Sequence, residues 1–208
     1  MFTASFFGLL VSGWAIILSH PHFYWGETGG IGTHSILDLP LPTMLGGPSG
    51  WGRSLHFQSA WFAVLTGLVY LVSGLLTQHF RNEMLPARRD LSWRSFRAGV
   101  VDHLRLKRPV DDGSYNLVQR LSYLGVVFVL FPLTIMTGFA MSPAITSVFP
   151  WLVTFWGGHQ TARTIHFVLA DLLTLFVLVH VAMVVYAGFA SRMRTMITGR
   201  AGSGKESL

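Results

Sequence analysis

Apolar residues run along this chain in four long stretches. No Lys, Arg, Asp or Glu occurs in Met1–His20, Ser54–Phe80 or Leu121–Ala162, and between Thr164 and Ser191 Asp171 is the one exception. A helix crossing the hydrocarbon core of a bilayer needs roughly 20 mostly apolar residues. The pattern predicts spans with inner limits near 2–18, 56–78, 119–140 and 164–190. Between them it leaves outer loops at 20–52 and 141–162 and a basic inner loop at 79–118. The expected fold class is all-α: an integral membrane protein, one four-transmembrane-helix bundle over residues 1–208. Reading Met1–Ser19 as a cleaved signal peptide is disfavoured, since it has no basic n-region and no A-x-A-like cleavage site.

Composition agrees. Of 208 residues 51% are hydrophobic and 12% charged, with mean hydropathy +0.50, whereas soluble domains carry about 25% charged residues. The absence of cysteine excludes disulfides, thiolate metal sites and thiol catalysis. A net charge of +6 and a pI near 10.3 suggest nucleic acid at first sight, but the positions of the charges give a membrane orientation instead. Arg81, Arg88, Arg89, Arg94, Arg97, Arg105, Lys107, Arg108 and Arg120 lie between spans two and three. Arg192, Arg194, Arg200 and Lys205 follow span four. Only Arg53 and Arg163 fall on the other face, each at the mouth of a span. The positive-inside rule then puts both termini in the cytoplasm, and in a bacterium the outer loops face the periplasm. No nucleic-acid partner is expected.

The loops have their own character. Residues 20–27 read His-Pro-His-Phe-Tyr-Trp-Gly-Glu, and Gly and Pro continue through Pro40, Pro42, Gly46, Gly47, Pro48 and Gly50. Such density breaks regular structure, while Phe23, Tyr24 and Trp25 suit the membrane–water interface. The segment reads as an ordered aromatic cap and as a docking surface for a periplasmic partner. Phe149, Pro150, Trp151 and Trp156 predict a short interfacial helix in the second outer loop. On the inner side Trp93, Phe96, Val100 and Leu104 among arginines predict an amphipathic helix within Leu91–Arg108, lying on the anionic leaflet.

The chemistry lies in the histidines. Of nine, His56, His166 and His180 fall within spans, where ionisable residues are rare and functional by default. Spans two and four open with nearly the same words, Arg53-Ser-Leu-His56-Phe and Arg163-Thr-Ile-His166-Phe. Both spans run inward, so the two imidazoles are expected at one depth, able to sandwich a haem iron. Each arginine lies where a propionate reaches the surface. His180 follows His166 by fourteen residues, which returns to nearly the same helix face roughly 21 Å further on, a spacing that suits two stacked redox centres. Below His56 the face carries Ala60, Ala63, Gly67, Tyr70 and Gly74, leaving room for close packing or for a flat macrocycle. Asp171 lies about 140° around the helix from His166 and reads either as a polar contact to another helix or as part of a proton path. Pro132 is expected to kink span three, with Thr134 and Thr137 satisfying the freed carbonyls.

By these residues the chain resembles the bacterial membrane cytochrome b subunits of nickel–iron hydrogenases, formate dehydrogenases and thiosulfate reductases, most of all the thiosulfate-reductase-type branch. The likeness also takes in the 20–27 loop, His180 and the closing Met196-Ile-Thr-Gly199. It implies four-span bundles that hold two b haems, exchange electrons with quinone and anchor a catalytic subunit, often a molybdenum (molybdopterin) enzyme. On that pattern His56 and His166 hold the outer haem and His180 gives one ligand of the inner haem. The family's remaining inner ligand, a histidine near the cytoplasmic start of span one followed by Trp, has no counterpart after Met1-Phe-Thr-Ala-Ser. Two explanations stand: a start codon placed too late, favoured, or a natural mono-haem variant.

The expected function is therefore a b-type haem subunit of the bacterial inner membrane. It would pass electrons between quinone and a periplasmic oxidoreductase, with Arg53, Arg163, His56, His166 and His180 as cofactor-binding residues and no catalytic site of its own. The competing class is a haem-free anchor or a small proton or metal transport module.

Overall fold

A computed structural model describes residues 2–29, 33–41, 49–86, 92–104 and 117–186. Pro42, Gly46, Gly47 and Pro48 lie outside the described residues, as do Leu91, Arg88, Arg89, Arg105, Lys107 and Arg108. So do Arg192, Arg194, Arg200, Lys205 and Met196-Ile-Thr-Gly199. Among the described residues the regular structure is helical apart from one short hairpin. Two compact units emerge, Met1–Leu85 with Phe131–Val168, and Pro86–Leu130 with Leu169–Leu208.

The first unit begins with α1 (Phe2–Ser19), which runs against α2 (Ser49–Leu76). Small residues let the two approach closely. Ser5, Ser12 and Ala15 are buried along one stripe of α1, and Gly8 lies against the Ser59 side chain. A Cβ on Gly52 would stand 3.1 Å from Ala15 Cβ and 3.5 Å from the Ser12 carbonyl oxygen. This corrects the expected start of span two: Gly50 and Gly52 lie inside the helix, which begins at Ser49 rather than near 56. Glycine there permits helix contact and does not end the helix.

Between α1 and α2 the outer loop forms a two-residue antiparallel pair, β1 (His22–Phe23) with β2 (Leu37–Asp38), in which His22 faces Asp38 and Phe23 faces Leu37. After α2 the chain turns at Gln78, whose φ is 54°, and enters a π-helical turn over Phe80–Met84. That turn folds back on α2: Tyr70 meets the rings of Phe80 and His79 at 5.5 and 6.4 Å, and Phe80 covers Gly74. The lower part of the small-residue face below His56 is thus filled by the protein's own aromatics. At Gly67 the face stays open, with no atom within 4 Å of a Cβ placed there.

The rest of this unit is α5 (Phe131–Ala140), α6 (Pro143–Thr146), α7 (Trp151–Phe155) and the first part of α8 (His159–Tyr186). The second outer loop therefore holds two short helices where one was expected. Ala140, Leu152 and Ala162 form a small core with Phe139, Ile145 and Trp156 packed on it. α8 starts five residues before the predicted limit, directly after Gly157 and Gly158, both at positive φ.

In the second unit α3 (Trp93–Leu104) is the expected amphipathic helix, with Trp93 and Phe96 stacked at 5.6 Å. α4 (Leu117–Gly125) packs beside it. It continues through a π turn at Val126–Leu130 into α5. Pro132 has no N–H to give to the Phe128 carbonyl, and the widened turn lies at that point. Thr137 does not serve that carbonyl, as the sequence suggested; its Oγ1 donates within the next turn, to the Leu133 and Thr134 carbonyls, both at 2.9 Å.

Gly50–Leu76, Leu117–Ala140 and His159–Tyr186 are long and apolar enough to cross a membrane. Leu65, Leu68, Val69, Leu75 and Leu76 of α2 are exposed, an arrangement that suits lipid and not water. α1, with 18 residues, spans about 27 Å at 1.5 Å per residue, the lower end of what a bilayer requires.

Candidate functional site

His56 of α2 and His166 of α8 come together in the first unit. Their ring centres are 6.2 Å apart and their planes are inclined at 68°. Each ring is held through Nδ1. Ser12 Oγ of α1 lies 3.0 Å from His56 Nδ1, and Thr137 Oγ1 of α5 lies 3.0 Å from His166 Nδ1. A backbone carbonyl joins each contact: Leu9 at His56, and Thr134 at 3.1 Å from His166 Nδ1.

These contacts decide the tautomer. The Ser12 hydroxyl gives its proton to the Gly8 carbonyl at 2.5 Å, and the Thr137 hydroxyl gives its own to the Leu133 or Thr134 carbonyl. A carbonyl can only accept, so the Leu9 and Thr134 contacts put the ring proton on Nδ1, and each hydroxyl oxygen accepts beside them. A neutral imidazole protonated at Nδ1 leaves the Nε2 lone pair for a metal. With metal–nitrogen bonds of about 2 Å and each ring nitrogen about 1 Å from its ring centre, two imidazoles on opposite sides of one iron stand about 6 Å apart. The observed separation fits. Space is left beside the rings too: a Cβ on Gly13 would touch His56 Cε1 at 3.7 Å, and one on Gly138 would touch His166 Cε1 at 3.5 Å.

Residues 1–199 match the prokaryotic cytochrome b561 family. The chain belongs to that family. Of curated proteins, it is 30% identical over 177 residues to a protein of Azospira oryzae named as a putative protein-methionine-sulfoxide reductase subunit, YedZ1. The match covers 85% of this chain and 80% of that protein. No solved structure matches it. As a family member the chain is a transmembrane cytochrome b, an electron-transport subunit of an oxidoreductase, and b-type haem is the cofactor the family implies. The cytochrome b resemblance read from the histidine words holds.

The two arginines that introduce the histidines differ. Arg163 Nη1 donates to the His22 carbonyl at 2.8 Å, and its Nη2 donates to the His20 carbonyl. The guanidinium carbon lies 4.7 Å from the centre of the Phe23 ring, which is buried and stacks on Phe167 at 4.4 Å. Further bonds tie the outer loop of this cytochrome to α8: Thr164 Oγ1 donates to the Tyr24 carbonyl, Gly26 N–H to Thr161 Oγ1, and Gln160 N–H to the Gly26 carbonyl, at 2.8, 2.8 and 2.9 Å. Arg53 is exposed. Burial, followed by the charges of Arg163 and Arg53, holds His20 below the usual histidine pKa. His22 Nδ1 meets Asp38 Oδ1 at 2.7 Å, and hydrogen bonds from Ser35 and His22 keep the Asp38 carboxyl below its usual range.

His180 lies in the second unit, its Nδ1 3.2 Å from the Tyr123 hydroxyl and its ring stacked on Phe176 at 5.9 Å. Asp171 is exposed on α8. Ser12, Gly13 and Gly138 were not among the expected site residues, and Thr137 was expected only to satisfy a helix carbonyl. A signal existed, since Ser12-Gly-Trp14 and Thr137-Gly-Phe139 echo each other on the helices that precede the two histidine words.

Proposed function

We propose that this cytochrome holds one b haem between His56 and His166 near the periplasmic face and carries electrons between quinone and a catalytic oxidoreductase subunit docked on its outer loops. The observation that carries this reading is the imidazole pair at 6.2 Å, each ring held at Nδ1 by a partner on another helix. Between two neutral imidazoles, haem supplies a one-electron couple. Ser12 and Thr137 keep the ligand protons on Nδ1, and Arg163 keeps the cap ordered above the site. Arg53, exposed at the same rim, is positioned for a propionate.

In this reading four spans cross a bacterial inner membrane with both termini in the cytoplasm, supported by thirteen of fifteen basic residues on one side. The partner is a molybdopterin-type enzyme. The name of the Azospira relative makes a methionine-sulfoxide-reducing partner the first to test, with quinol as electron source. His180 is left as one ligand of a second haem whose other ligand this sequence does not supply, so one haem per chain is expected.

The test is a reduced-minus-oxidised spectrum of the purified protein. A b-type α band is expected, lost at the outer site in His56→Ala and in His166→Ala. Retention of that haem in either variant refutes the pairing. A ratio of two haems per chain refutes that expectation and gives His180 a second ligand.

A further inference from the structure

In each of two helix pairs the later helix carries the histidine and the earlier one a hydroxyl followed by glycine. α1 offers Ser12-Gly13 to His56 of α2, and α5 offers Thr137-Gly138 to His166 of α8. Ser12 and Thr137 have no exposed surface at all. In both pairs the hydroxyl proton is already committed to a carbonyl three or four residues back on its own helix. The oxygen faces the imidazole as an acceptor only. In both, the glycine that follows lies at the Cε1 edge of the same ring, where a side chain would limit how far the ring can turn.

From this we infer that Ser12 and Thr137 are positioning residues for haem ligation, each fixing the tautomer, tilt and basicity of its histidine from the neighbouring helix. The inference rests on the haem reading above. A hydrogen bond accepted from Nδ1–H increases electron density on Nε2. That strengthens ferric ligation relative to ferrous and lowers the midpoint potential of the bound haem. Because a backbone carbonyl shares each Nδ1 proton, losing the hydroxyl weakens the bond without abolishing it. The effect is therefore placed at the lower end of the about 10- to 100-fold range for outer-shell partners of metal ligands.

Thr137→Val keeps the side-chain shape and removes the oxygen; Thr137→Ser keeps the oxygen and removes the methyl group. Haem transfer to apomyoglobin, and a potentiometric titration of the α band, are measured on the full chain in nanodiscs. Thr137→Val is expected to lose haem about tenfold faster and to titrate at a higher potential than wild type. Thr137→Ser is expected to match wild type in both, and Ser12→Ala to behave like Thr137→Val. Equal potentials in Thr137→Val and wild type, with haem bound in both, overturn the inference and leave the His56–His166 pairing intact. Serine behaving like valine also overturns it, because packing and not the hydroxyl would then be responsible. A wild-type chain that binds no haem overturns the pairing itself and the inference with it.

Discussion

Removing the guanidinium of Arg163 should release the outer cap while leaving the helices in place. Its two hydrogen bonds to the His20 and His22 carbonyls are charge-assisted, a class worth about 1.5–3 kcal/mol each when sheltered. The group is partly exposed, so about 1 kcal/mol each is the appropriate figure after screening. The contact over Phe23 adds about 0.5–1 kcal/mol. Arg163→Gln should therefore cost the cap about 2.5–3 kcal/mol, which at 1.4 kcal/mol per factor of ten is about a 60- to 140-fold rise in its opening equilibrium. Hydrogen exchange reads this directly. The Ile36 amide donates to the Phe23 carbonyl at 2.8 Å and the Leu39 amide to the Pro21 carbonyl at 3.1 Å, and both should exchange faster by that factor. Amides in the middle of α8 should not change. Arg163→Lys should fall between, since an ammonium keeps the charge over Phe23 and loses the planar fork. Unchanged protection at Ile36 in Arg163→Gln would refute the latch. Loss of haem with cap protection intact would instead assign the arginine to a propionate.

Three further outcomes follow from the same region. Phe23→Ala removes a buried ring between Arg163 and Phe167 and should cost about 3–5 kcal/mol, read as a lower Tm by tryptophan fluorescence. Gly158→Ala should be worse than Gly157→Ala in the same assay. Position 158 has φ 114° and its Cβ would meet the Gly26 backbone and stand 2.7 Å from Glu27 N, whereas 157 carries only the strain of φ 74°, about 1 kcal/mol. Acid should loosen the cap in two steps. The folded state binds the His20 proton more weakly than the unfolded chain does, so the contribution of His20 is complete above the ordinary value of 6.5 and falls as pH drops below it. Asp38, depressed in the fold, contributes above 3.8 and is lost as pH falls through its lower folded value. Ile36 exchange, corrected for intrinsic pH dependence, checks both steps. His20→Gln should remove the first alone.

How far the sequence could be read depended on whether a residue's role was local. The apolar runs and the paired histidine words are local, and they predicted helices and a histidine pair whose rings stand 6.2 Å apart. Glycine was the main source of error. Gly50 and Gly52 looked like loop residues because glycine disfavours helices, yet Gly52 is where α1 passes closest to α2, a demand set by a helix more than thirty residues earlier. Gly157 and Gly158, inside the predicted 141–162 loop, do break the chain, and there the reason is positive φ. Arg163 and Arg53 occupy equivalent places in their words, but among the described residues it is Arg163 that bonds the hairpin, where α8 starts against Gly26.

The hydroxyls raise a different point. Ser12 and Thr137 each satisfy a carbonyl of their own helix, and a serine or threonine inside a membrane helix is usually explained by that bond alone. What separates them from Thr66 or Thr174, which make the same bond to their i−4 carbonyls, is the imidazole on the oxygen's remaining lone pair. That second partner depends on a glycine next in sequence and a histidine on the next long helix. The informative pattern in this cytochrome is thus a helical hairpin used twice, hydroxyl-Gly-aromatic followed by Arg-hydroxyl-aliphatic-His-Phe. If the repeated unit is what builds the site, the two halves should tolerate the same exchange. Ser12 is fully buried and Ser12→Thr would add a methyl group there, so the exchange runs the other way. Thr137→Ser makes both halves Ser-Gly and should leave the haem spectrum and the potential unchanged.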